Sequence, residues 1–404
     1  MSERYRVLLL MTTAQVGGAV VQQGFGSLAP FVVTYFHINK AQLGLAFTAI
    51  MLGSAFTVAV GGILVDRFGE RNVTIAAGVG IFTTLVVAAL VPSYTWLVCW
   101  LFMMGFAYSA VTPAGGRAIL TWFQRDRGFA MSIRQMGVPA GAVLGGIIMP
   151  ALAARYDYQV SLIAVAFVAL VLTTGAALVY HEPQPDERMP KTHVRDVVAG
   201  MSILARDPRT IFFALLCAVL AIAQQVTQGF VALTAVLLGH TTIAVAAAVF
   251  ASAQIASIFG RIGWGLVSDN LFGGNRVLPI GICAGIAVVA ALGLAISAPS
   301  NVPLLFASAI LMGLSGSSWN GLFAAGLAEI GGIRFSGSAI GFGLTAIFLS
   351  GAIGPVAFGV LADAHGLHVA WTALACLESL GFVPMLLAQR AFAAAALKER
   401  AALG

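Results

Sequence analysis

Twelve long apolar stretches separated by short polar breaks dominate this 404-residue chain. They fall near residues 7–36, 41–65, 73–92, 95–122, 128–153, 159–180, 210–238, 242–267, 277–297, 302–330, 336–362 and 369–389. Each is long enough, at ~1.5 Å per residue, to cross ~30 Å of hydrocarbon. Hydrocarbon offers a backbone amide no hydrogen-bond partner, so such segments satisfy their own amides as helices. Charged residues make up 9% of the chain, against about 25% in a typical soluble domain. The expected fold is an all-α membrane protein with twelve transmembrane helices. The first stretch exceeds the apolar core of a signal peptide and lacks a small-residue cleavage site, so it counts as a span.

Charge placement predicts the orientation. With the N-terminus inside, sixteen of the 21 Lys and Arg residues fall on the inner side and only Lys40 and Arg155 outside. Arg117, Arg134 and Arg261 lie within helices. This bias predicts a multi-pass protein of the cell inner membrane with both termini cytoplasmic. It also accounts for the net charge of +6, and no basic block with interleaved aromatics argues for a nucleic-acid partner. The four cysteines, Cys99, Cys217, Cys283 and Cys376, each sit in an apolar stretch without metal-ligand spacing, which reads as packing.

The chain also repeats. GGILVDRFGERNV, Gly61 to Val73, resembles GWGLVSDNLFGGNRV, Gly263 to Val277, and sets Asp66 and Asp269 203 positions apart. Gln22-Gln23 and Gln224-Gln225 stand 202 apart. A parallel duplication predicts two pseudo-symmetric six-helix bundles, residues 1–180 and 210–389. A polar cytoplasmic linker, 181–209, joins them, and a cytoplasmic tail, 390–404, follows.

Three segments carry a family resemblance. GGILVDRFGER matches the loop pattern Gly-x-x-x-Asp-Arg/Lys-x-Gly-x-Arg, and on it the chain resembles the major facilitator superfamily. PAGGRAILTWFQRDRGFAMS, Pro113 to Ser132, resembles the organic anion:cation symporters, with Arg117 and Arg127 in the places of their helix and loop arginines. SIFGRIGWGLVSD, Ser257 to Asp269, resembles the eighth helix of monocarboxylate transporters and of the oxalate/formate antiporter. There an arginine binds the substrate carboxylate, and Arg261 holds its place. Ser257 stands where some monocarboxylate transporters carry an acid. The resemblance implies a major facilitator fold, alternating access, and a substrate site between the halves. It also implies a gating loop of Asp66, Arg67, Gly69 and Arg71. Asp269 belongs to the second copy, where Asn270 replaces the usual basic residue.

The embedded charges add an argument of their own. A charge at the centre of a membrane helix costs ~2.5–3.5 kcal/mol on insertion scales, so it persists where it meets water, a partner or a substrate. Three arginines are embedded, while Glu378 in helix twelve is the one plainly mid-helix carboxylate. A planar guanidinium pairs bidentately with a carboxylate, so the excess of positive charge suits an anion. Arg261 is expected to hold it from the second half, and Arg117 with Arg134 from the first. The competing readings are contact with the Asp269 loop for Arg261, a cytoplasmic salt bridge for Arg117, and snorkelling for Arg134. Gln22, Gln23, Gln224, Gln225 and Gln228 on helices one and seven, with Trp319 and Asn320 on helix ten, are expected to complete the site. Interhelical hydrogen bonding is the alternative for each amide. Glu378 is the candidate proton site, against a packed, hydrogen-bonded glutamate.

No Walker, HExxH or GxSxG motif appears, so neither enzyme activity nor a cofactor or metal is expected. The expectation is a secondary active transporter of a small organic anion, a carboxylate, acting as a monomer by proton symport. Anion exchange and export of neutral or amphipathic compounds are the alternatives, with a ligand-binding membrane sensor more remote.

Overall fold

The computed structural model describes residues 3–123, 127–182, 206–299 and 301–382. Most of the linker and the tail therefore lie outside the described residues, as do the side chains of Asp66 and Arg127. The described chain is helical, with no strand. The first six spans are Glu3–Phe36, Lys40–Phe68, Glu70–Leu90, Tyr94–Trp122, Arg127–Arg155 and Tyr158–Val179. The next three are Pro208–Leu237, Ile243–Asn270 and Val277–Ala295. Val302–Leu314, Asn320–His365 and Leu367–Phe382 supply the last three.

The long run Asn320–His365 contains the end of span ten and all of span eleven. Phe323 and Leu327 pack against Gly343. A straight helix would set Leu327 and Gly343 about 24 Å apart, so the run doubles back on itself. The sequence places a break near 331–335; the backbone there stays helical through the reversal.

Local chemistry fixes several helix starts. Spans two, six, eight and ten begin at one face of the bundle, and each has a polar cap: Asn39, Asp157, Thr242 and Asn301 accept an exposed amide of the first turn. Asn39 and Gln42 form a reciprocal capping box. We call this face distal, and the opposite one, which carries the N-terminus, proximal.

Three spans expected to be continuous are broken. Span one loses its α-helix after Gln22 and passes through a 3-10 turn, Phe25–Leu28. Span four is interrupted at Ala110 between Tyr94–Ser109 and Val111–Trp122. Pro113 has no amide hydrogen to give the Ser109 carbonyl, which is the local cause. Span ten is interrupted between Leu314 and Asn320, in the run Ser315-Gly316-Ser317-Ser318-Trp319. Ala110 plus the 203-residue repeat offset is position 313, so the breaks in spans four and ten are counterparts.

The halves meet most closely at the distal face, span two against span eleven. A Cβ at Gly44 would collide with the backbone of Pro355, and one at Gly359 with that of Lys40. Thr48 donates to the Ala352 carbonyl. Asp363 accepts from the amides of Lys40 and Ala41, at 3.1 and 2.8 Å, and pairs with the Lys40 ammonium at 3.2 Å. Span five packs on span eight deeper in the bundle, and there Arg261 Nη1 donates to the Gln135 carbonyl at 3.3 Å.

Candidate functional site

The break in span four is lined by a buried cation. Arg134, on span five, reaches the turn just past the break: Nη2 donates to Val111 O at 3.1 Å, Thr112 O at 3.0 Å and Gln15 Oε1 at 2.7 Å. Its side chain is fully buried, so it does not snorkel. Gln15 in turn donates from Nε2 to the Tyr108 hydroxyl at 2.9 Å. Spans one, four and five are thus joined by one buried relay.

The next residue in span five, Gln135, is the one whose carbonyl receives Arg261 from the second half. Arg261 is part-buried and forms no ion pair among the described residues. Tyr108 lies within electrostatic reach of both Arg134 and Arg261. Two guanidinium groups, one from each half, therefore stand near one phenol with no described carboxylate between them.

Arg117 is placed differently. Its Nε lies 3.1 Å from Glu70 Oε1, and the Glu70 side chain is only 2% exposed. The sequence alone puts Glu70 in a hydrated loop; it is instead a buried acid at the start of span three. Of the alternatives for Arg117, the salt bridge is the one the geometry displays, so the excess of embedded positive charge rests on Arg134 and Arg261.

In the second half, neutral donors close the break in span ten. Trp264 Nε1 donates to Leu314 O at 2.6 Å, Ser257 Oγ to Ser317 O at 2.9 Å, and Ser318 Oγ to Gly313 O at 2.6 Å. Trp319 is fully buried, with its indole N–H on Gly316 O at 2.9 Å and Phe323 edge-on to its ring. Asn320 donates to Gln224 Oε1 at 3.3 Å. Gln228 and Gln254 exchange side-chain hydrogen bonds between spans seven and eight, at 3.4 and 2.9 Å. Gln23 donates to Gln22 at the break in span one, and Gln225 packs on Gly351 of span eleven. The Asn320–Gln224 and Gln228–Gln254 bonds join helices of the second half; Arg261 is the grouped polar residue that reaches across the halves.

The proximal loops hold within their own halves. Gly69 has φ +83°, a conformation that favours glycine, and a Cβ there would strike the Glu182 carboxylate. Glu182 accepts the Arg71 amide at 2.8 Å, and the Arg71 guanidinium donates to Leu178 O at 3.2 Å. Arg67 is exposed and lies over the Phe68 ring. In the second half Arg276 bridges Asp269 at 2.6 Å and Glu329 at 3.0 Å. Desolvation works against its charge, but the bonds to these two acids hold the Arg276 guanidinium above its ordinary pKa. The described contacts of both loops thus fasten each loop within its own half, and the Asp66 side chain of the expected gating loop lies outside the described residues.

Glu378 lies in span twelve, fully buried, and neither carboxylate oxygen has a hydrogen-bond partner among the described residues. That span packs against spans seven and nine, through Trp371 to Thr234 and Phe382 to Gly285.

Gln15, Tyr108 and Glu70 are the site residues that sequence reading missed. Gln15 sits seven positions before Gln22, two turns along the same face, which was its available signal. Glu70 gave none, since its partner lies 47 positions away.

Comparison with known proteins places this arrangement. An uncharacterised MFS-type transporter of Mycobacterium tuberculosis is 28% identical over 392 residues, 95% of this chain and 84% of the relative. The hexuronate transporter of Bacillus subtilis is 22% identical over 172 residues, covering 42% of this chain and 40% of the relative. Among solved structures, an inward-facing bacterial homologue of the human lysosomal transporter Spinster superimposes with a TM-score of 0.79 at 17% identity, covering 96% of this chain and 98% of that one. The profile of the Major Facilitator Superfamily matches residues 11–298, and with a twelve-span helical fold to accompany it the chain belongs to that superfamily and is a membrane transporter, not an enzyme.

Proposed function

We propose that this transporter carries a small organic anion, a carboxylate, by alternating access between its two halves. The observation that supports this reading best is Arg261. It lies at the contact between the halves, without an acid partner among the described residues, and is held by one 3.3 Å bond to a neutral carbonyl. An embedded guanidinium so lightly held is favoured where a carboxylate can arrive and pair with it. Arg134 adds a second positive charge that stays fixed. Binding would neutralise the interface and let the proximal side close while the distal side opens. The distal contacts described above fit a conformation open to the proximal side. We assign the proximal face to the cytoplasm of an inner-membrane monomer, from the distribution of Lys and Arg. The partial relative named a hexuronate transporter acts on an anion by that name, which agrees with the reading.

Proton symport is the proposed energy source, with Glu378 as the candidate proton site. Anion exchange is the second reading, because Ser257 replaces an acid and its hydroxyl is committed to Ser317 O. Proteoliposomes loaded with labelled mono- and dicarboxylates, with and without a pH gradient, separate the two. Uptake that follows the gradient and is lost in Glu378→Gln supports symport; gradient-independent counterflow supports exchange. In the same assay Arg261→Ala should abolish flux while the melting temperature holds. Undiminished flux in that variant would remove the anion assignment.

A further inference from the structure

The relay from Arg134 through Gln15 to Tyr108 has a direction. A guanidinium only donates, so the Gln15 group facing Arg134 must be its oxygen. The amide nitrogen then faces Tyr108, and since it too only donates, the phenol oxygen must accept. The phenol's own proton is left to point elsewhere, and no described residue accepts it. Tyr108 is only 7% exposed, so this is a buried donor without an acceptor, and such a donor is costly to leave unused.

Each member of the relay is seated against a glycine. A Cβ at Gly18 would come within 2.8 Å of the Tyr108 ring, one at Gly115 within 2.6 Å of Arg134 Nε, and one at Gly137 within 3.1 Å of the Gln15 side chain. The backbone of three spans makes room for these side chains in one orientation. Arg261 reaches the same place from the other half, bonding the residue next to Arg134.

Resting on the anion reading above, we infer that Tyr108 is a second anion contact, its O–H donating to the same carboxylate that Arg261 binds, with Gln15 and Arg134 as positioning residues. The site then offers one charged donor from the second half and one neutral, pre-aimed donor from the first. Such a pair suits a carboxylate whose two oxygens are gripped from opposite sides.

The test uses the purified full chain in detergent, with formate, acetate, lactate, oxalate and glucuronate as probes of thermal stabilisation. At least one acid should stabilise the wild type. Tyr108→Phe should weaken that acid by about tenfold or more, as loss of a hydrogen bond to a charged group does. Its melting temperature without acid should fall modestly, because the buried Gln15 amide loses its acceptor, and the fall should be the same for every acid series extrapolated to zero concentration. Gln15→Leu should weaken binding too, and combined with Tyr108→Phe should bind no worse than Tyr108→Phe alone; additive losses overturn the relay. Should Tyr108→Phe not fold, 3-fluorotyrosine at position 108, a stronger donor of nearly the same size, should tighten binding, and unchanged binding overturns the inference. Unaltered affinity in Tyr108→Phe overturns the Tyr108 contact and leaves Arg261 standing. No stabilisation of the wild type by any of the acids overturns both.

Discussion

The two halves break a helix at the same place and line the break with different chemistry. In span four a buried guanidinium, Arg134, donates to carbonyls of the turn beside the break. In span ten, the counterpart, hydroxyl and indole groups of Ser257, Ser318, Trp264 and Trp319 do so. The proximal ion pairs differ likewise. Glu70–Arg117 is sheltered, with side chains 2% and 16% exposed, whereas Asp269 and Glu329 are 59% and 55% exposed beside Arg276. The first half therefore stores charge inside, locked to its own spans. The second half repairs itself with neutral groups and leaves Arg261 uncommitted. Fixed field on one side and a lightly held cation on the other is a division of labour that a duplicated ancestor with identical halves could not have had.

The comparison can be broken by removing charges one at a time. The largest effect is expected from Glu70→Gln. Losing the acid of a sheltered pair should cost about 3 kcal/mol, because Arg117 keeps its charge in a poorly solvated place. Thermal melting in detergent would measure it, and Arg117→Met added to Glu70→Gln should recover most of the loss. If Glu70→Gln melts like the wild type, the first half does not depend on buried charge. Ser257→Ala should cost about 1 kcal/mol, the net worth of a neutral hydrogen bond. A loss as large as that of Glu70→Gln would show that the neutral contacts of the second half matter as much as the sheltered pair of the first. The smallest effect belongs to Glu329→Gln: an exposed pair contributes about 0–1 kcal/mol, and even that should vanish when melting is repeated at high salt. Persistence of a difference in salt would mean that the second-half pair is as sheltered as the first.

Much of the fold is legible in the order of the amino acids, and for one reason. A backbone amide has no partner in hydrocarbon, so about twenty apolar residues leave a single solution, and the charge bias and the repeat organise the spans. The breaks obey a subtler rule. Pro113 and the Ser315–Ser318 run signal a weak point, but not what fills it. Arg134 looks from sequence like a free cation, yet its three acceptors come from two other spans. Glu70 sits beside Arg71 and looks hydrated; only the packing of span four brings Arg117 over it. Arg261 was legible through its resemblance and its isolation from acids. Tyr108 was not, because its importance lies in the direction of its proton, which Gln15 and Arg134 decide from a distance in the chain.

At the distal face the two halves touch as peptide backbone on peptide backbone, at Gly44 and Gly359. Parting such surfaces exposes little charge, so the work of opening is set by lost dispersion contact and hardly at all by ion hydration. Lys40 with Asp363 is the described exception. The distal fastening is consequently steric and nearly indifferent to ionic strength, whereas the buried and paired charges lie in the middle of the molecule or at the opposite end.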